Sequence, residues 1–141
     1  FHDSTFDAVC ALEVLELFPN MDEPLKELTR VLRPGGILLT SRGTEESGRK
    51  ARVKSKAVFT SLLEKNELHD IEITKWWKFF DRVFARKNGE SQPVGATAKR
   101  LSDAMRCPQC GQVHWRKEAS AFVCLYCGKE LSITKEGIVL N

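Results

Sequence analysis

The chain has 141 residues and a mass of 16.0 kDa, enough for one domain or for a truncated domain with a small appendage. Hydrophobic residues make up 42% and charged residues 29%, an ordinary globular composition that excludes a disordered or collagen-like chain. The net charge of +3 is too small to argue for nucleic acid, and it is uneven: −4 over residues 1–41, +5 over 42–105 and +2 over 106–141. No apolar run reaches the roughly 18 residues a bilayer span requires, so no membrane partner is expected. The opening at Phe1, without initiator Met or leader, reads as an internal cut through a longer protein.

Phe6 to Leu12 is a short, nearly continuous apolar run, as expected for a strand buried on both faces, with Cys10 inside it as a small buried hydrophobe. Asn20 to Arg33 predicts a helix: Asn20 and Glu23 make a capping box, and Leu25, Leu28 and Leu32 share a face. Pro34-Gly35-Gly36 stops it, and Ile37 to Thr40 reads as a second buried strand. Strand, helix and strand with short connections make a right-handed βαβ unit with parallel pairing. Residues 42–56 hold six basic groups and two glycines and read as a solvated segment. Ala57 to Glu67 predicts a second amphipathic helix with Phe59, Leu62 and Leu63 inward. Ile71 to Trp77 and Phe79 to Lys87 read as a closing hairpin turning near Lys78, its aromatic residues used for sheet packing. Asn88 to Ala104 has linker composition.

Four of the five cysteines fall in two C-x-x-C pairs, Cys107/Cys110 and Cys124/Cys127, each followed by glycine. Each pair places two sulfurs on one side of a tight turn, and a hairpin carrying Val113, Trp115 and Phe122 would bring the pairs together. Four thiolates suit tetrahedral Zn²⁺, and a closed shell leaves no position for water, so the site is expected to be structural. Iron is the competing metal, and a dithiol redox role is the weaker reading. Paired thiols point to a reducing compartment, with the cytoplasm as default. The arrangement resembles a zinc ribbon. The tail from Leu131 to Leu140 predicts a further strand or hairpin around Glu136-Gly137.

The order Phe1-His2-Asp3-Ser4-Thr5-Phe6-Asp7, Val9 to Leu15, Leu25 to Gly36 (LKELTRVLRPGG) and Ile37 to Thr40 resembles class I S-adenosylmethionine-dependent methyltransferases. The resemblance covers the later half of the catalytic domain, to about residue 88, ending in Val83 to Lys87. It implies an α/β fold: the later strands and helices of a Rossmann-like methyltransferase sheet, followed by a small zinc ribbon. The boundaries are 1–88 for the methyltransferase part, 89–105 for the linker and 106–141 for the ribbon. It implies that Ala11, Leu12 and Glu13 lie near S-adenosylmethionine. The family's glycine-rich turn and ribose-binding acid would lie upstream of Phe1, so this fragment alone is expected neither to bind the cofactor usefully nor to be active.

Glu13 and Glu16 are the weak candidates for a general base, three residues apart on one face of a helical turn. Ala11-Leu12-Glu13-Val14 stands where many nitrogen-directed members carry an Asn/Asp-Pro-Pro-aromatic turn, which weighs against adenine-N6 chemistry. The methyl acceptor is left open between a small molecule and RNA. Arg42, Arg49, Lys50, Arg52, Lys54 and Lys56 are candidates for an anionic substrate if they are more than solvated surface. The resulting expectation is a methyltransferase fragment whose zinc ribbon positions substrate or a protein partner. The alternative is a non-catalytic ribbon that binds nucleic acid or protein on a degenerate scaffold.

Overall fold

The apolar stripes of the first ninety residues meet on one side of a single sheet. The computed structural model describes residues 1–47, 52–90 and 100–140. It divides into two units, Asp3–Pro93 and Phe1–His2 with Val94–Asn141. The first unit runs β1 (Phe6–Ala11), a 3-10 turn (Leu15–Leu17), α1 (Asp22–Val31), β2 (Leu32–Gly43), α2 (Lys56–Lys65), β3 (Leu68–Trp77) and β4 (Phe80–Lys87). The strand order is β1-β2-β4-β3, with β1 and β2 parallel and the other pairings antiparallel.

Helix α1 starts one residue later than the capping-box reading. Asn20 Oδ1 accepts from the Asp22 N–H at 3.0 Å, before the helix rather than as its N-cap, which is Met21. Asp22 and Glu23 then meet the positive end of the helix dipole, and Arg30 the negative end. Helix α2 begins at Ser55, whose side chain accepts from the Val58 N–H. Both helices cover the same sheet face: Leu25, Phe59, Leu63, Leu38, Val83 and Ala85 form its core, with Leu28, Leu62 and Ile73 packed against it.

Strand β2 begins at Leu32, so Pro34-Gly35-Gly36 lies within it. The pairings Phe6↔Leu32 and Ala8↔Ile37 leave one residue of β1 opposite four of β2, which is a bulge. Gly35 takes φ +70°, and a Cβ on Gly36 would sit 2.8 Å from the Arg33 carbonyl, so the bulge requires both glycines.

Strand β1 is an edge strand, and its two faces differ. Val9 packs into the core, whereas Ala8 and Cys10 are exposed, beside half-buried Ile37, Leu39 and Phe84 on the strands next to them. The expectation of burial on both faces, with Cys10 inside, is therefore corrected: among the described residues both long helices lie on the opposite face of the sheet.

In the second unit, α3 (Leu101–Ala104) precedes β5 (Trp115–Lys117), β6 (Ala121–Cys124), β7 (Glu130–Ile133) and β8 (Val139–Leu140), an antiparallel sheet in that order. Its core is small: Met105, Phe122 and Leu131, with Trp115, Ile133 and Val139 against them. The turn expected at Glu136-Gly137 is present, closed by the Gly137 N–H on the Thr134 carbonyl at 3.0 Å. The linker reading over 89–105 ends in α3, and its residues 91–99 lie outside the described residues.

Two ionic anchors carry predictions. Asn66 Nδ2 donates to Asp22 Oδ1 at 2.9 Å, and Lys26 and Lys65 lie 2.9 and 3.3 Å from Oδ2, tying the start of α1 to the end of α2. These partners, Asn66 first, hold the Asp22 carboxyl well below the usual range. Because the folded pKa is depressed, this stabilisation is present above about pH 4 and fades as pH falls further. D22N should flatten the acid limb of stability, measured as urea midpoint against pH. The second anchor is a buried pair, Arg42 Nη2 to Asp81 Oδ2 at 2.8 Å, with side chains 3% and 4% exposed. D81A leaves the guanidinium buried without its inner partner and should cost about 3 kcal/mol in chemical denaturation.

Candidate functional site

Two constellations merit attention, one at the carboxyl end of the sheet and one in the small unit. Where β1 ends, hydroxyls of the neighbouring parallel strand strap the chain. Thr40 Oγ1 donates to the Ala11 carbonyl at 2.7 Å, and Ser41 Oγ accepts from the Glu13 N–H at 2.6 Å. Both hydroxyl residues are buried. The strap holds Glu13 at φ +57°, a left-handed conformation unfavourable for a side-chain-bearing residue by roughly 1–2 kcal/mol. Fully buried Leu15 anchors the 3-10 turn that follows.

The candidate residues at this end separate. Ala11 is buried, Leu12 half-buried and Glu13 exposed. Glu16 is 3% exposed, and the turn begins after Glu13, so the two acids do not share a helical face. The strapping hydroxyls are not among the residues that the sequence marks as candidates. Their signal is a Thr-Ser pair closing the apolar run Ile37-Leu38-Leu39.

The basic segment is also altered. Arg42 is internal: besides Asp81 it donates to the Lys54 carbonyl at 2.6 Å and to Glu45 at 3.0 Å. Burial works against its charge, but Glu45 and Asp81 outweigh it, and Arg42 in turn lowers the Glu45 pKa. Arg52 Nη1 donates to the Leu17 carbonyl at 3.1 Å, and Lys56 lies 3.8 Å from Asp81. Lys54 is exposed, while Arg49 and Lys50 lie outside the described residues. Nor do the hairpin aromatics all pack: Trp76, Trp77 and Phe79 are exposed.

In the small unit, Cys107, Cys110, Cys124 and Cys127 bring their Sγ atoms within 4.8 Å of one another. Cys107 and Cys127 stand 3.6 Å apart, as do Cys110 and Cys124. Four sulfurs at about 2.3 Å from a tetrahedral ion would be about 3.8 Å apart, so the donor set fits such an ion. The knuckles repeat each other. The Gly111 N–H meets the Cys107 carbonyl at 2.8 Å and the Gly128 N–H meets that of Cys124 at 3.0 Å. Both glycines sit at positive φ, +72° and +75°, with open space where a Cβ would be, so the turn conformation and not crowding selects glycine.

Backbone donors polarise the thiols. Burial pushes Cys107 up, but the Cys110 and Gln109 N–H groups prevail and its pKa falls. The Cys127 N–H, against burial, draws Cys124 down to about 7. The Gln112 N–H also favours the Cys110 thiolate, yet burial and the neighbouring thiols push it up to about 12. Cys127 likewise rises, against the Lys129 N–H, through burial and the sulfurs of Cys107 and Cys124. Four thiolates repel around one point, and a bound dication removes that repulsion.

Residues 1–40 match a family described as a methyltransferase domain. The sterol 4-C-methyltransferase strm-1 of Caenorhabditis elegans is 53% identical over 36 residues, 26% of this chain and 11% of that protein. A SAM-dependent methyltransferase of Aquifex aeolicus is 20% identical, covering 60% of this chain and 47% of its own, with a TM-score of 0.53. Phosphoethanolamine N-methyltransferase 2 of Haemonchus contortus, solved with S-adenosyl-L-methionine, is 14% identical over 63% of this chain and 35% of its own, TM-score 0.51. The chain thus spans well under two thirds of each. Residues 1–40 are thus similar to part of a methyltransferase domain, and the α/β unit shares the fold of these methyltransferase structures.

The thiol centre yields a direct prediction. Cobalt(II) should give thiolate charge-transfer absorption with one ion per chain, and C124S should weaken it. Chelation should unfold the small unit, read by loss of the Trp115 indole N–H resonance, since that group donates to the Met105 carbonyl at 3.1 Å.

Proposed function

We propose that this chain is the later part of an S-adenosylmethionine-dependent methyltransferase carrying a structural zinc ribbon. The observation that carries the reading is the methyltransferase match over residues 1–40, which falls on β1, α1 and most of β2 and so contains the strapped turn at the end of β1. Ligands of open α/β sheets lie beyond the carboxyl ends of parallel strands, which is where Ala11, Leu12 and Glu13 stand. These residues would form one wall of the cofactor site, held in shape by Thr40 and Ser41.

The described residues do not form the whole site. Their positive-φ glycines lie in the β2 bulge, at the end of β4, in the two knuckles and in the tail turn. None follows a strand into a helix as a cradle for the methionine part of the cofactor. When bound, S-adenosylmethionine supplies an activated methyl group, and no step of its transfer is derived from these residues. Glu13 is the acid that meets solvent at this wall and is the candidate general base, whereas Glu16 is buried.

The four thiolates would hold zinc as a closed structural site, with Fe²⁺ the competing ion. Binding worth roughly 10–16 kcal/mol would supply the stability that so small a core lacks. The ribbon would position the methyl acceptor, a small molecule or RNA, or a protein partner. Leu125 and Tyr126, 60% and 76% exposed at the tip of the second knuckle, offer the contact. Reduced thiols accord with the cytoplasm.

Calorimetry tests the reading. The complete gene product should bind S-adenosylmethionine, the 141-residue chain should not at micromolar concentration, and S41A in the complete product should weaken binding about ten-fold or less through loss of the strap. A complete product that binds no cofactor would leave a scaffold that is not an enzyme.

A further inference from the structure

We propose that the tip of the β3–β4 hairpin is a membrane-surface contact that takes an anionic phospholipid bilayer. The proposal does not depend on methyl transfer. Trp76, Trp77 and Phe79 are 47%, 63% and 38% exposed, and Lys75 and Lys78 beside them are exposed as well. Consecutive strand residues normally point to opposite faces, so one of two adjacent tryptophans would ordinarily turn inward. Here the register shifts between Lys75 and Trp77, which frees both indoles from the sheet.

The tip is braced from behind. Phe80 pairs with Trp77 and with Gly43 at the end of β2, and the Phe79 carbonyl accepts from the Thr44 N–H at 2.8 Å. Lys78 Nζ stands 5.1 Å over the Phe79 ring. Its nearest acid in sequence, Asp81, is turned inward onto Arg42, so it adds no negative charge to the exposed surface. On the turn after β2, Glu45 is held by Arg42, while Glu46 and Lys54 are both exposed.

Indole rings partition to the headgroup zone because they are apolar with one N–H donor, and lysine stems extend along them to reach phosphates. An exposed tip with two tryptophans, a phenylalanine and two ammonium groups has this chemistry. No described helix is long and apolar enough to cross a bilayer, and a surface contact needs none.

The test is co-sedimentation of the full chain with phosphatidylcholine–phosphatidylserine vesicles, alongside tryptophan emission with brominated lipid as quencher. Binding with quenching is expected, with W76A/W77A lowering partition about ten-fold or more. Each lysine near an anionic surface is worth about five-fold, so K75E/K78E should lower partition at least about 25-fold. Thermal melts identical to wild type would show that these surface variants fold. Three results overturn the proposal: no vesicle binding at low salt, binding that both variants retain, or binding only to a single-stranded oligonucleotide, whose bases would stack on the same rings.

Discussion

Two parallel strands cannot be joined by a tight turn, so the pairing of β1 with β2 forces the chain from Ala11 to Leu32 back across one sheet face. That crossover requires α1, and its apolar stripe sets the face on which α2 must also pack. It also brings the carboxyl end of β1 beside Thr40 and Ser41, late in β2. The register that buries Leu38 therefore also aligns the two hydroxyls with the Ala11 carbonyl and the Glu13 N–H. A slip of one residue would turn Leu38 to the other face and carry the hydroxyls away from the strap. Core packing and the shape of the candidate wall are thus one constraint.

The small unit is organised on the opposite principle. Its buried core is three side chains, Met105, Phe122 and Leu131, too little apolar surface to offset the ordering of some forty residues. What converges instead are four sulfurs, each knuckle aiming backbone N–H groups at its first thiol. Those dipoles favour thiolate, while mutual repulsion resists it, and the opposed directions at Cys124 and Cys110 express that conflict. The unit is built to receive positive charge, and its fold is coupled to the ion that provides it.

Local chemistry was legible where one short-range rule dominated. The helix periodicity of Leu25 and Leu28, the inward set Phe59, Leu62 and Leu63 and the paired C-x-x-C turns each depend on nearest neighbours, and the structure shows each. What was hidden depends on partners distant in sequence. Arg42 looked like one more cation of a basic run, and only Asp81, thirty-nine residues on, makes it an internal anchor. Pro34-Gly35-Gly36 looked like a terminator because proline and glycine end helices; that they also form a bulge inside β2 follows from pairing with Phe6 and Ala8. Cys10 and Glu16 exchanged their expected environments for the same reason, since burial on an edge strand or in a turn is decided by what packs over it.

At the carboxyl end of the sheet, polar residues are inside and large apolar residues outside, the reverse of ordinary partitioning. Thr40, Ser41, Arg42 and Asp81 are buried, while Val14, Leu17, Phe18, Trp76, Trp77 and Phe79 are exposed. Burying an arginine and an aspartate is costly unless both are paired, and they are, with Lys54 and Glu45 taking the remaining donors of the guanidinium. Directed polar bonds fix backbone position more sharply than apolar contact does, which suits a sheet end that must hold a left-handed Glu13 and an irregular hairpin tip in place. The same end leaves its large apolar side chains on the surface, where they add nothing to the core.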